Sequence, residues 1–293
     1  MKFPAYLVFL SLFHGASAAE VTSPIPSSLK DRLGLDPFYG KCVMVGDFPI
    51  VSSSKVSDAA LLEAATIVRS MLDGRDDILT AMATNKVRLV VMAVSERTCD
   101  VPEHSDLNPR TYWNVRARGL GASKECPVVS CGEENLLCSP GDRYPTENIM
   151  VHEFAHAIHD TGLKTLDNTF DRRLKETYQA AMKADKWKNC YAAENHHEYW
   201  AEAVQSWFGT NRENDAIHNH VNTREELIAY DPEVAKLCEE AFGKNAWQYR
   251  RADDTARKNE AHLKDLDRTK LAPFVLTKEE QDLDRREIRK EKE

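Results

Sequence analysis

Apolar residues recur with two different periods along this chain, and the change of period divides it. Lys41 to Val45 and Val87 to Val94 are short, β-branched apolar runs. The second, VRLVVMAV, has the length and composition of a buried strand. Between them Leu61, Ala65, Val68 and Leu72 follow helical spacing, with Ser57 as N-cap and Gly74 as stop. Asp76 to Ala83 predicts a second, short helix. Residues 20–40, rich in Pro, Ser and Gly, read as an extended lead-in. Residues 95–145 show no helical period and hold Gly, Pro and four cysteines. A stretch so long inside a compact domain is usually functional or cross-linked. Within it, Glu134 to Cys138 reads as a short edge strand.

From Pro145 onward the period is helical. Pro145, Thr146 and Glu147 start a helix running to about His159, with Gly162 as its stop. Phe170, Leu174, Tyr178 and Ala181 mark the next. Glu194 to Phe208 is a third, with Trp200, Ala203, Val204 and Trp207 on its apolar face. Thr223 to Tyr230 and Pro232 to Phe242 are further helices. Residues 277–293 carry 13 charged residues in 17 and predict a solvated helix or disordered tail. The expected class is α+β: a small sheet with an antiparallel edge strand beside a cleft, then a mostly helical half. Residues 19–276 form one domain on this reading.

Composition adds a few exclusions. The chain has 293 residues, a hydrophobic share of 42% and a net charge of −8. Those values exclude whole-chain disorder or coiled coil, and the acidic balance argues against nucleic acid as a partner. Residues 1–18 have the form of a secretory signal peptide: Lys2, the apolar run Tyr6 to Phe13, and Ala16-Ser17-Ala18. That run is too short for a bilayer span, so no stable membrane anchor is expected. Removing the leader takes away one Lys and no acid, which makes the charge −9. The expected location is therefore extracellular, where disulfides can form. Seven cysteines, an odd number, allow at most three bridges, expected as clamps on the 95–145 stretch and the flanks of the helix pair that follows it. No N-x-[ST] sequon is present, so N-glycosylation is not expected.

The candidate chemistry lies in His152-Glu153-Phe154-Ala155-His156, an H-E-x-x-H on a predicted helix. Residues i and i+4 share a helix face, so both imidazoles can reach one metal. Glu153 lies about 100° round the helix and can touch a water held by that metal without ligating it. Zinc suits imidazole ligands, and a catalytic zinc needs three protein ligands and an open position. The metzincin spacing fails, because its Gly and third His positions hold His159 and Gly162. His159 shares the face of the pair, but one straight helix cannot easily wrap three ligands round a tetrahedral ion. Glu194, Glu198 and Glu202, four residues apart on one face of the third helix, are the other source. His196 and His197 read as helix surface, and His218 and His220 lie in a polar stretch that could bind metal adventitiously. Trp200 and Trp207 read as core. Gly119 and Gly121 are candidates for the cleft border.

HEFAHAIHD, then Tyr191, six residues, and Glu198-Tyr199-Trp200-Ala201-Glu202-Ala203 resemble the catalytic domain of anthrax lethal factor and its relatives. Those are gluzincins, a group of zincin metallopeptidases. The likeness covers about residues 130–210 and departs from the family at Ala155, which is Gly there, and at His159. It implies a zincin-like fold with one zinc ion held by His152, His156 and Glu198. It also implies Glu153 as general base, Glu202 as acceptor orienting a ligand histidine, and Tyr191 as a hydroxyl aimed at the metal. The expected function is a secreted zinc metalloendopeptidase acting on a protein or peptide. The alternatives are an inactive zinc-binding secreted protein and a disulfide-stabilised module with an accidental motif.

Overall fold

The computed structural model describes residues 19–290, so the leader expected over 1–18 lies outside the described residues. Helix α1 (Ser27–Leu33) precedes strands β1 (Lys41–Val45) and β2 (Phe48–Ser52). Helices α2 (Asp58–Met71) and α3 (Asp76–Thr84) lead to strand β3 (Arg88–Met92). Helix α4 (Arg110–Arg116), strands β4 (Gly119–Leu120) and β5 (Val128–Gly132), and helix α5 (Glu133–Leu136) follow. The rest is helical. It comprises α6 (Ile149–Ala157), a π-helical turn (Ile158–Leu163), α7 (Lys164–Leu166), α8 (Phe170–Lys183), α9 (His196–Trp207), α10 (Arg224–Tyr230), α11 (Pro232–Phe242) and α12 (Lys278–Lys290). The class is α+β, as expected.

The five strands lie in the order β1-β2-β3-β5-β4. The inner pairs are parallel and both edges are antiparallel. A parallel sheet must be covered on both faces, and the alternation along β3 does this. Leu89 and Val91 enter the large core under the helices, whereas Val90 and Met92 face a smaller core. That smaller core takes Ile25, Leu29 and Leu33 from the segment expected to be an extended lead-in. Those side chains recur at i and i+4, and their burial makes the segment a helix covering the sheet. None of residues 19–40 lines the cleft described below.

Ser57 caps α2 by accepting from the Ala60 amide, and Gly74 turns the chain at φ +73° in a region that favours glycine. Two expectations fail, and a third, the charged C-terminal helix, is met in part. The strand expected at 134–138 lies six residues earlier, at β5, and Glu133–Leu136 is helical. Its helix is fixed by a buried ion pair, Arg118 to Glu134 at 2.6 Å. Gly162 does not stop a helix, since the chain runs through it as a π turn. Its missing Cβ makes room for α3: a Cβ there would meet Ile78 Cγ2 at 2.8 Å. The tail is not solvated all round. Helix α12 packs on α4, with Arg97 to Glu280 at 2.8 Å and Arg143 to Asp284 at 2.8 Å.

The expected disulfide clamps are also corrected: all seven cysteines are free thiols. Cys42 on β1 and Cys131 on β5 are separated by β2 and β3. Strands are about 4.8 Å apart, so three steps exceed the roughly 7 Å that a disulfide spans. The 95–145 stretch is held by buried hydrogen bonds instead. Asn135 donates to the carbonyls of Tyr144 and Glu147 and accepts from the Ile149 amide.

Candidate metal centre

Asn135 thereby fixes where α6 begins, and Asn148 caps it by accepting from the Val151 amide. Helix α9 starts in the same manner: Asn195 accepts from the amides of His197 and Glu198. The two helices are pinned where they cross by Trp200, whose indole N–H donates to the Ala155 carbonyl at 2.9 Å. These constraints bring His152, His156 and Glu198 together. His152 Nε2 is 3.0 Å from Glu198 Oε2 and 3.2 Å from His156 Nε2, and His156 Nε2 is 3.4 Å from Glu198 Oε2. Three donors at 2.0–2.1 Å from a tetrahedral zinc stand about 3.4 Å apart, so the trio fits that ion as it stands. Two imidazoles and a carboxylate are also a zinc-type donor set.

Charge supports the same reading. Burial alone would depress the His152 imidazole, yet the Glu198, Glu153 and Glu202 carboxylates outweigh it and push it up to about 10. So much negative charge in one buried place calls for a cation. Burial raises the Glu153 carboxyl above its ordinary range. Glu198 is pulled well below its own range, because hydrogen bonds to His152 and His156 overcome its desolvation.

Gln205 is the residue that sequence reading missed. His152 Nδ1 donates to its Oε1 at 2.8 Å, while Glu202 Oε1 stands at 3.6 Å. The Gln205 amide is oriented by its own donation to Glu147 Oε2 at 2.9 Å. That chain sets the tautomer and leaves the His152 Nε2 lone pair for the trio. Glu202 is held by Asn211 Nδ2 at 3.0 Å and faces His218 Nε2 at 3.5 Å. His218 is buried rather than on the polar surface, with its Nδ1 on Asp215 at 2.8 Å. No polar stripe marks Gln205 in the sequence, because α9 is buried throughout from Tyr199 to Trp207.

Tyr191 lies on the far wall, its amide held by the Ile217 carbonyl and its ring stacked on His152 with centroids 6.1 Å apart. Burial and the Glu198 carboxylate push its hydroxyl up, so it stays protonated, and the Arg116 guanidinium faces it. The trio, Glu153 and Tyr191 open into one cleft of about 910 Å³. Its floor includes edge strand β4, and its far rim includes Leu283 and Asp284 of α12.

Two glycines, one in β4 and one just after it, let this edge approach α6. A Cβ at Gly119 would meet Glu153 Cγ at 2.9 Å, and one at Gly121 would meet His156 Cβ at 2.8 Å. Neither contact can be relieved without moving the strand or the helix. We expect Gly121→Ala to keep the fold but to lower activity about 10²-fold by displacing His156. Thermal midpoint and zinc content measured beside peptide cleavage will check this. Unchanged cleavage would show that β4 does not set the position of His156.

Among the described residues, no helix is long and apolar enough to cross a membrane. No family model matches the chain, and no curated protein matches its sequence. A solved structure, the Pro-Pro endopeptidase of Paenibacillus alvei, is similar at a TM-score of 0.39 and 14% identity. It covers 67% of this chain and 96% of that one, too distant a likeness to assign a family.

Proposed function

We propose that the chain is a zinc-dependent metalloendopeptidase acting on proteins or peptides outside the cell. The observation that carries it is the trio of His152, His156 and Glu198, at tetrahedral-edge spacing in an open cleft that also holds an acid–base group. The motif resemblance to the lethal factor catalytic domain points the same way, and the leader-like residues 1–18 motivate the location. Zinc bound there supplies a Lewis acid and makes a water acidic enough to act near neutral pH.

The remaining steps belong to side chains. Glu153, beside the trio but not in it, takes the proton of the attacking water and returns it to the leaving amine. Tyr191 keeps its proton and donates a hydrogen bond to the oxyanion that develops on the carbonyl. Arg116 behind it adds positive charge on the same side. Gln205, with Glu147 behind it, holds His152 in its ligating tautomer. Strand β4 pairs with β5 along one side only, so its other edge can take an extended peptide as an added strand.

The test is metal removal. The full chain is offered a peptide library before and after chelation, and again after Zn2+ is restored. Cleavage should vanish on chelation and return with zinc. A chain that binds zinc through the trio, shown by its loss in His156→Ala, yet cleaves nothing in the library, is a binding protein and not a peptidase.

A further inference from the structure

The same two helices form a second cluster one turn beyond the trio. His159 is fully buried, and neither of its ring nitrogens has a hydrogen-bond partner. An unpartnered buried polar group costs about 1–3 kcal/mol, so this side chain requires an explanation. Its neighbours are metal-binding types. His159 Nδ1 is 3.9 Å from Asp160 Oδ1, and His197 Nδ1 is 3.6 Å from Asp160 Oδ2. One ligand atom from each of the three lies within 4.8 Å of the other two.

The backbone there is unusual as well. His159 and Asp160 lie in the π-helical turn, a rare form that gathers at functional sites. That turn rotates His159 off the line of His152 and His156 and aims it at α9. There the residue preceding Glu198 is His197, so each helix contributes to both clusters.

We propose that His159, Asp160 and His197 bind a second divalent transition-metal ion of the zinc class, on the wall of the same cleft. Asp160 and His197 both line that cleft, which gives the ion a way in. Lys164 holds Asp160 Oδ1 at 2.9 Å and leaves Oδ2 free to ligate. His159 Nε2 faces Asp171 Oδ1 at 3.3 Å, an oxygen itself buried and unpartnered, while Lys175 holds the other Asp171 oxygen at 2.8 Å. A carboxylate behind a ligating imidazole is the usual support for a metal histidine. The ligand atoms lie within 4.8 Å of one another and close toward the tetrahedral spacing of about 3.4 Å when an ion is bound. Two lysines already balance the two aspartates, so this ion is held more weakly than the one at the trio.

The test is a calorimetric Zn2+ titration of the metal-free full chain, with ion content read by mass spectrometry. Wild type should take up two ions, one tight and one weaker. His197→Ala, at a half-exposed position where folding is not at risk, and Asp160→Asn should each lose the weaker ion and keep the tight one. His156→Ala should do the reverse. Asp171→Asn, which supplies no ligand atom, should weaken the second ion about 10–100-fold and leave the first unchanged. Saturation of wild type at a single ion overturns the proposal. So does a second ion that survives in both His197→Ala and Asp160→Asn.

Discussion

Glu153→Gln should lower the turnover of a cleaved peptide about 10²–10⁴-fold while leaving zinc content unchanged. The substitution keeps the size of the side chain and removes its ability to accept a proton. It touches no ligand atom, because the trio consists of His152, His156 and Glu198. Glu153 is enclosed by the cleft floor, close enough to Gly119 that an added Cβ there would strike it. Burial raises its carboxyl, which moves a weak base toward neutral pH. The rate should therefore rise with pH through a value above the ordinary carboxylate range, and that rising limb should disappear in Glu153→Gln. If the variant retains turnover within about tenfold of wild type, another group is the base and the assignment of Glu153 fails.

Trp200→Ala should destabilise the chain by about 3–5 kcal/mol in denaturant unfolding, the range for removing a large buried aromatic. Trp200 is fully buried, packs edge-on against Phe170 at 5.4 Å and stacks with Phe242 at 6.0 Å. Its truncation also removes the indole donor from the Ala155 carbonyl just before the π turn, which leaves that oxygen with the Ile158 amide alone. Because Trp200 joins the helices that carry the trio, zinc affinity should fall together with stability. Trp200→Phe keeps most of the packing and loses the donor, so it should lie between wild type and Ala. A loss below about 1 kcal/mol for the alanine variant would mean that the helix pair is held elsewhere.

The helical half was readable because its apolar residues keep one period over long spans. Thr223 and the Pro232 start fall where the spacing puts them, whereas α6 begins at Ile149 behind the Asn148 cap and not at Pro145. Strand β5 was not readable. Its five residues, VVSCG, include a Ser, a Cys and a Gly, and their burial on both faces comes from neighbours distant in sequence. Helix α9 was half legible. Its periodicity and Trp200 were visible, but its run from Tyr199 to Trp207 is buried all round. No polar face therefore marked Gln205 as special. Gly162 misled for a related reason: glycine ends helices, but it also permits close packing, and only the position of Ile78 distinguishes the two. His159 reads as a non-ligand because a straight helix cannot carry three ligands to one ion, and His197 as surface because one tetrahedral ion has no room for it; the π turn changes only the first.

The seven unbridged thiols have a use of their own. Burial raises every one of them above the ordinary thiol range. The nucleophile is the thiolate, so the folded chain reacts slowly with alkylating and oxidising reagents. Cys42 and Cys131 lie in the sheet and Cys238 in α11, so each becomes reactive only when its own part of the molecule opens. Labelling rates at these positions therefore form a built-in clock for local opening, read one element at a time.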